Sequence, residues 1–357
     1  MRVALDARPL SHPQAGGYRS YVSALVAGLA ELALPDVEIL LYLDRPVNFV
    51  LPFETRILSP SRLKTDLWLF EQQAKRDGVD VVHGTVNYLP LGLTGMQTVV
   101  TLHDALLIKR YPWEEKVRRS VRQRLLNAYW SLLMRHAART ASCAFTISQG
   151  SAQELASVLG GNFPVVHNAL SLPLPTPGVA REPRTLLAIA APDARKNIEA
   201  VYDALPSLAD LCPTLLLVCT SERTAAVAEA EVARRKLQNV RLLRGLNDQA
   251  LSDAYARAAV FLFPSRLEGF GLPPLEAMQA GTAVVASDAL PMPEILGEAP
   301  LYVSPERPAE LAAAARRLLT DPQESARRGA LGRAQASRYT LRAMAEGTVA
   351  LWREVSA

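Results

Sequence analysis

Residues 260–281 read Val260-Phe-Leu-Phe-Pro-Ser-Arg-Leu-Glu-Gly-Phe-Gly-Leu-Pro-Pro-Leu-Glu-Ala-Met-Gln-Ala-Gly281. An apolar run of strand length stops at Pro264-Ser265, and a loop follows that carries Gly269 and Gly271. Pro273 and Pro274 suit the first turn of a helix, where a missing N–H costs nothing, and Gly281 suits its end. Glycines before a helix N-terminus let backbone N–H groups approach a ligand closely, and the helix end adds partial positive charge suited to phosphate. Glu268 falls in the loop and Glu276 in the first turns of the helix, so both can face one strand-end crevice and accept hydrogen bonds from sugar hydroxyls. Two such acids mean little alone among 35, and a glutamate early in a helix is a routine dipole partner. The specificity lies in the whole string.

Outward from this stretch, short β-branched runs alternate with helical patterns. Arg2–Leu5, Val37–Tyr42, Val81–His83, Val99–Leu102 and Ala144–Ile147 read as strands in the first half. The second half repeats the rhythm with Leu186–Ile189, Leu215–Val218, Val240–Leu243, Val260–Phe263 and Ala283–Ala286. Helix-length segments such as Tyr18–Leu34, Ile198–Leu208 and Asp248–Ala258 separate them. Such alternation predicts an α/β protein with parallel sheets covered on both faces. Leu172-Pro-Leu-Pro-Thr-Pro-Gly178 can continue neither a helix nor a central strand and reads as a linker. The expectation is two doubly wound Rossmann-like domains, 1–171 and 172–340, facing a central cleft that binds its ligand at strand C-termini.

Composition narrows the class. The chain has 357 residues, 49% of them apolar and 21% charged, which excludes a disordered tail, a coiled coil or a collagen-like repeat. No apolar run approaches the roughly 20 residues of a membrane span. The start, Met1-Arg-Val-Ala-Leu-Asp6, meets an acid too early for a secretory signal. Cys143, Cys212 and Cys219 are an odd number without zinc-type spacing. A cytoplasmic protein is expected.

The 260–281 string resembles the family-4 retaining glycosyltransferases of the GT-B fold, whose hallmark runs E-G-F-G-L-x-x-x-E. Here it stands as Glu268-Gly-Phe-Gly-Leu-Pro-Pro-Leu-Glu276. The resemblance continues through Gly281-Thr-Ala-Val-Val-Ala-Ser287 and Pro293-Glu-Ile-Leu-Gly297, and reaches back to Arg195-Lys196-Asn197, His103-Asp104 and Gly16-Gly17. It implies a nucleotide-sugar donor held mainly by the C-terminal domain, and a last helix, within 341–357, that crosses back to the N-terminal, acceptor-binding domain. By the same resemblance Glu276 holds the ribose hydroxyls and Glu268 the transferred sugar. The backbone of Phe270, Gly271 and Leu272 surrounds sugar and phosphates, Lys196 neutralises the diphosphate beside Arg195, and Gly16-Gly17 pass close to the phosphates. His103 approaches the donor from the N-terminal domain. Lysine at 196 is itself notable, since the chain has six lysines against 33 arginines. Asp104 orients the imidazole or caps the next segment, the second being favoured, and Ser148 reads as a helix N-cap.

The implied catalytic residues are Glu268, His103 and Lys196. The implied reaction is a metal-independent, front-face transfer of a hexose with retention, in which the departing phosphate takes the acceptor's proton. No Asp-x-Asp motif is present, and no cofactor beyond the nucleotide-sugar co-substrate is expected. Retaining glycosidases, by contrast, use two carboxylates about 5 Å apart. The Ala194-Arg-Lys-Asn197 and His103-Asp104 segments look most like mannosyltransferases of polysaccharide or lipopolysaccharide biosynthesis, with GDP-mannose as donor ahead of UDP-hexoses. Ala190-Ala191 and Cys219-Thr-Ser221 stand where relatives commonly have glycine, which bears on the donor more than on the reaction. The alternatives are a sugar phosphorylase on the same fold and a non-catalytic nucleotide-sugar sensor.

Charge is uneven. Residues 109–139 carry nine basic side chains against Glu114 and Glu115, a net of +7. Val117, Val121, Leu125, Ala128 and Leu132 form an apolar stripe there, with Arg118, Arg119 and Arg122 off it. The expectation is a basic face peripheral to an anionic membrane, at its inner side, that brings the enzyme to a glycan or lipid-linked acceptor. No nucleic-acid partner is expected, since no aromatic–basic recognition module appears.

Overall fold

The computed structural model describes residues 1–11, 16–113, 120–191 and 193–357. They divide into two units. The first holds Met1–Tyr111, 120–171 and Tyr339–Ala357; the second holds Leu172–Arg338 with Pro112 and Trp113. Val117, Arg118 and Arg119 lie outside the described residues.

The first unit is built on a six-stranded sheet of β1 (Arg2–Asp6), β2 (Glu38–Leu43), β3 (Glu54–Ile57), β4 (Val81–Gly84), β5 (Gln97–Leu102) and β6 (Cys143–Thr146). Their order is β3-β2-β1-β4-β5-β6, and every pairing is parallel. The second unit repeats this with β7 (Glu182–Ala190), β8 (Thr214–Cys219), β9 (Val240–Arg244), β10 (Ala258–Phe263), β11 (Ala283–Ser287) and β12 (Leu301–Val303). These lie in the order β12-β11-β10-β7-β8-β9, again all parallel. Both are the doubly wound order in which the chain starts at the centre, winds to one edge, and returns to wind to the other. Burial on both faces explains why the strands read as unbroken apolar runs: all six residues of β10 are buried. On one face of the second sheet, Leu186, Leu215, Leu217, Val260 and Val285 pack with Val201 and Tyr202 of one helix and Leu311 and Leu318 of another.

The structure has six strands per unit where the sequence reading has five. The added ones, β3 and β12, are edge strands; Glu-Thr-Arg-Ile is polar and half exposed, and β12 has three residues. Neither carries an apolar alternation long enough to read. The expected helix Ile198–Leu208 gives way at Pro206 to a 3-10 segment, Leu205–Leu211.

The C-terminal helix, Leu341–Ser356, packs in the first unit against the helix Gly17–Ala30, where a side chain at Gly28 would collide with the Leu341 carbonyl. Trp352, fully buried, donates to His83 Nδ1 at 3.3 Å, and His83 Nε2 meets Thr101 Oγ1 at 2.9 Å. Burial pushes His83 down to about 3 against the smaller opposing pull of Asp6, with His103 adding to the fall, so this anchor is uncharged at neutral pH.

The helix Val121–Thr140 touches its sheet only through its C-terminal half, where Met134 and Ala137 are buried. Val121, Leu125 and Leu132 of the predicted apolar stripe are 72%, 67% and 68% exposed. Val117, the first member of that stripe, lies outside the described residues, and no described residue covers the face formed by the others.

Candidate active site

In each sheet the central pair of strands sends its connections in opposite directions, leaving a crevice at their carboxyl ends. In the second unit that pair is β7 and β10. Lys196 closes a short 3-10 turn, Ala194–Lys196, after β7, and Glu268 stands in the loop after β10. Backbone and side-chain bonds knit the two loops: Arg266 N donates to Arg195 O at 2.8 Å and its guanidinium to Ala194 O at 2.9 Å. Asn197 adopts a left-handed φ of 53° and donates to Pro264 O at 3.0 Å and Pro305 O at 2.7 Å. Asparagine tolerates that conformation better than most side chains. The result fixes Lys196 Nζ 2.7 Å from Glu268 Oε1, with the Arg195 guanidinium 3.9 Å from Oε2.

Burial alone would raise the Glu268 carboxyl. Lys196 and Arg195 outweigh it and hold the group below the ordinary glutamate range, so it is a carboxylate at neutral pH. Glu276 differs. It lies on the helix Leu272–Gln279 and accepts from Tyr255 OH at 2.9 Å. Burial pushes it up to about 7, against the smaller opposing pulls of Tyr255 and Lys196, with Asp248 adding to the rise. Two glutamates on one loop-and-helix segment are thus poised differently, one ionised and one titrating near neutrality.

Gly271 precedes that helix at φ +100°, and a Cβ there would meet Met292 Cε at 2.5 Å. The left-handed backbone favours glycine here, and a larger residue would also have to displace the end of the Met292 side chain. Phe270 is buried, so only its backbone is available at the surface of the crevice. Lys196, Arg195, Glu268, Phe270, Gly271, Leu272 and Glu276 all belong to this unit, and Lys196 and Glu276 are near enough to influence one another electrostatically.

Gly16, Gly17 and His103 belong to the first unit. His103 follows β5, its ring edge-on to Tyr18 and Tyr21 with centroids at 4.9 Å and 4.6 Å. Its Nε2 donates to Thr85 O at 2.8 Å, and burial lowers it to about 4. The ring is then neutral at pH 7, with Nδ1 as the acceptor nitrogen, so it offers a hydroxyl an acceptor and offers a phosphate no charge. Asp104 Oδ1 accepts from Leu106 N at 3.0 Å, the capping role favoured for it, and Ser148 caps the helix Gln149–Leu159 through Ser151 N.

Gly16 is extended, at φ −172°, and a Cβ on it or on Gly17 would meet nothing within 4 Å. Neither backbone strain nor packing demands glycine here; both line a cavity of about 580 Å³ in the first unit. Gly16→Ala and Gly17→Ala are therefore expected to leave the melting temperature within about 2 °C while lowering turnover of a sugar donor, in paired calorimetry and activity measurements. A large loss of stability with unchanged turnover would make them structural.

Sequence reasoning missed Tyr255, the partner of Glu276, and Asn197 as the residue that locks the Lys196 loop. Tyr255 lies inside an ordinary helical pattern and gives no signal. Asn197 stands inside the Arg195-Lys196-Asn197 string, where nothing marks its left-handed backbone.

Residues 176–335 match the family described as Glycosyl transferases group 1. The MMP α-(1→4)-mannosyltransferase of Mycolicibacterium hassiacum is 28% identical over 410 aligned residues, covering 100% of this chain and 99% of that protein. Among solved structures, sucrose-phosphate synthase from Thermosynechococcus elongatus superposes with a TM-score of 0.81 at 21% identity, over 99% of both chains. Anabaena HepE in complex with UDP-glucose gives 0.74 at 18% identity, also over 99% of both. Two six-stranded parallel sheets of doubly wound order, the group 1 match and these relatives agree: residues 176–335 form a glycosyl transferases group 1 domain, and the chain is a glycosyltransferase of the GT-B fold.

Proposed function

We propose that the protein transfers a hexose, mannose in preference, from a nucleoside diphosphate sugar to a hydroxyl of a glycan or lipid-linked acceptor, with retention and without a metal. The observation that carries this reading is the Lys196–Glu268 pair, held 2.7 Å apart at the switch point of the second sheet with Glu276 in the same segment. The ammonium has three donors, so it can keep Glu268 and still reach a diphosphate. In the reaction the bond from the anomeric carbon to the β-phosphate oxygen breaks and a bond to the acceptor oxygen forms. The acceptor's proton passes to the departing phosphate. Charge grows on that phosphate, where Lys196, Arg195 and the amides at Gly271 and Leu272 are the stabilising groups. Glu268 serves the transferred sugar's hydroxyls, Glu276 the ribose, and neutral His103 a sugar hydroxyl. Mannose is favoured by the similarity to the Mycolicibacterium mannosyltransferase, and a nucleotide-sugar donor by the UDP-glucose complex of HepE. Donor consumption and product anomeric configuration, measured across GDP-mannose, UDP-glucose and related donors with and without chelator, test it. Retained configuration with chelator-resistant turnover is expected. Inverted product, or turnover only with inorganic phosphate as acceptor, would replace this reading.

Peripheral membrane contact is part of the proposal and draws on the uncovered helix face. Among described residues no helix is long and apolar enough to cross a membrane. Val121, Leu125, Tyr129 and Leu132 are exposed beside Arg122 and Arg124, and Leu63, Leu67 and Trp68 are exposed on the segment that carries Arg62. Apolar side chains flanked by arginines suit an anionic lipid surface, where each cation adds about 1 kcal/mol. Binding to vesicles rich in anionic lipid should fall at least tenfold in the Arg122→Glu/Arg124→Glu variant. Equal binding by both forms would remove membrane contact from the proposal.

A further inference from the structure

The cavity in the first unit lies at the carboxyl ends of β1, β2 and β4, and its described lining residues all belong to that unit. Its volume, about 580 Å³, falls within the range of small-molecule sites, roughly 300–1,000 Å³. The floor is rigid. Arg8 binds Asp6 through two bonds of 2.6 and 2.8 Å, Asp66 at 2.6 Å and Tyr88 OH at 2.7 Å, with all four side chains buried. Its charge is spent on its neighbours, so it shapes the site more than it recognises a ligand.

Two other groups are only partly satisfied. The Arg62 guanidinium lies over two rings that touch each other, its carbon 4.1 Å from the Trp130 centroid and 4.9 Å from that of Tyr88. It makes no hydrogen bond among the described residues; its charged neighbour, Asp66, is 3.5 Å away. The rings hold the guanidinium in place, and Asp66 faces only its Nε, so the two terminal nitrogens remain for something else, an arrangement suited to a two-oxygen anion. On the opposite account stands Asp44, just past β2. Its Oδ1 is buried with no hydrogen-bond donor among the described residues, the Arg45 guanidinium standing 3.6 Å off. A buried carboxylate oxygen without a donor is costly, and a ligand hydroxyl would repair it.

We propose that this cavity is the acceptor site and that it selects a sugar bearing an oxyanion, phosphate or carboxylate, with Arg62 gripping the anion and Asp44 accepting from a ring hydroxyl. Trp130 and Tyr88 are positioning residues that hold Arg62. The inference rests on the glycosyltransferase reading, since it needs a second substrate. It adds what that substrate must carry.

The test is titration of the full chain, kept saturated with GDP so that the donor region is filled, with mannose 6-phosphate, glucuronate and methyl mannoside. Wild type should bind at least one of the two anionic sugars tenfold or more tighter than methyl mannoside, and which one identifies the oxyanion. Arg62→Met should erase that preference, Arg62→Lys should restore only part of it because a point charge lacks the fork, and Asp44→Asn should weaken all three sugars. GDP affinity should be unchanged in every variant. Equal binding of the three sugars by wild type, or a preference that survives Arg62→Met, would overturn the acceptor assignment and leave the transferase intact. Failure of wild type to bind either GDP or UDP would overturn the nucleotide-sugar reading itself.

Discussion

Replacing Lys196 by alanine is expected to lower kcat/KM for the nucleotide sugar by about 10²–10³-fold, the range seen when one preorganised donor is removed from a site of developing negative charge. The lysine has two duties in the structure, and the variants separate them. In the free protein it neutralises Glu268, whose side chain is 8% exposed. In the reaction it would neutralise the leaving diphosphate. Lys196→Ala removes both. Glu268→Ala removes the sugar contact and frees the ammonium, and should lower turnover at least tenfold with less effect on binding of the nucleoside diphosphate.

Stability gives an independent reading of the pair. Lys196→Ala strands a nearly buried carboxylate beside Arg195 and should cost about 1–3 kcal/mol in urea unfolding at pH 7, discounted for the lysine's partial exposure. The double variant should be more stable than Lys196→Ala alone, because no unpaired charge remains. Glu268 is held below its ordinary range, so its contribution is present above the unfolded value near 4.5 and is lost as pH falls through the folded one. Wild type should therefore weaken in acid more steeply than Glu268→Gln. Unchanged turnover in Lys196→Ala would reject the lysine as the diphosphate's partner, whatever the stability data show.

The residues of this pair were legible because they stand in contiguous, punctuated segments. The proline, glycine and glutamate positions of 260–281 each have a local physical reason, and the lysine stands out against a background of arginine. The parallel order of both sheets follows from the strand–helix alternation, since parallel strands need crossovers and crossovers are right-handed. Edge strands β3 and β12 were not legible, because β3 is polar and exposed and β12 has only three residues, so neither carries the apolar run that marks a central strand. The cavity of the first unit was invisible for another reason. Asp44, Arg62, Tyr88 and Trp130 come from four separate segments, none with a motif, and only folding brings them together. The stripe on 121–132 shows a third limit: periodicity identifies a face and is silent about what covers it.

The affinity for a nucleotide sugar should rise with pH through neutrality, and Glu276 is the reason. In the free protein burial holds its carboxyl up to about 7, so at pH 6 roughly one molecule in ten carries the carboxylate and at pH 8 roughly nine in ten. Ribose hydroxyls donate to a carboxylate better than to a carboxylic acid, so binding favours the ionised form and pulls the proton off. Linkage then gives a Kd that falls about tenfold between pH 6 and pH 8. The nucleotide sugar is the right probe, because its diphosphate is esterified at both ends and does not titrate there, whereas a free nucleoside diphosphate would add its own slope. Glu276→Gln should bind more weakly at pH 8 and show a flat profile. Tyr255→Phe sharpens the assignment. The Tyr255 hydroxyl donates to the carboxylate at 2.9 Å and opposes the rise caused by burial, so its removal should move the midpoint to higher pH while Glu276→Gln abolishes it. The ligand-free protein should show the mirror image: a carboxyl raised from 4.5 binds more protons folded than unfolded, so this group's contribution makes stability decline as pH climbs from about 4.5 to 7. A wild-type Kd independent of pH over that window would mean that the ribose does not rest on Glu276.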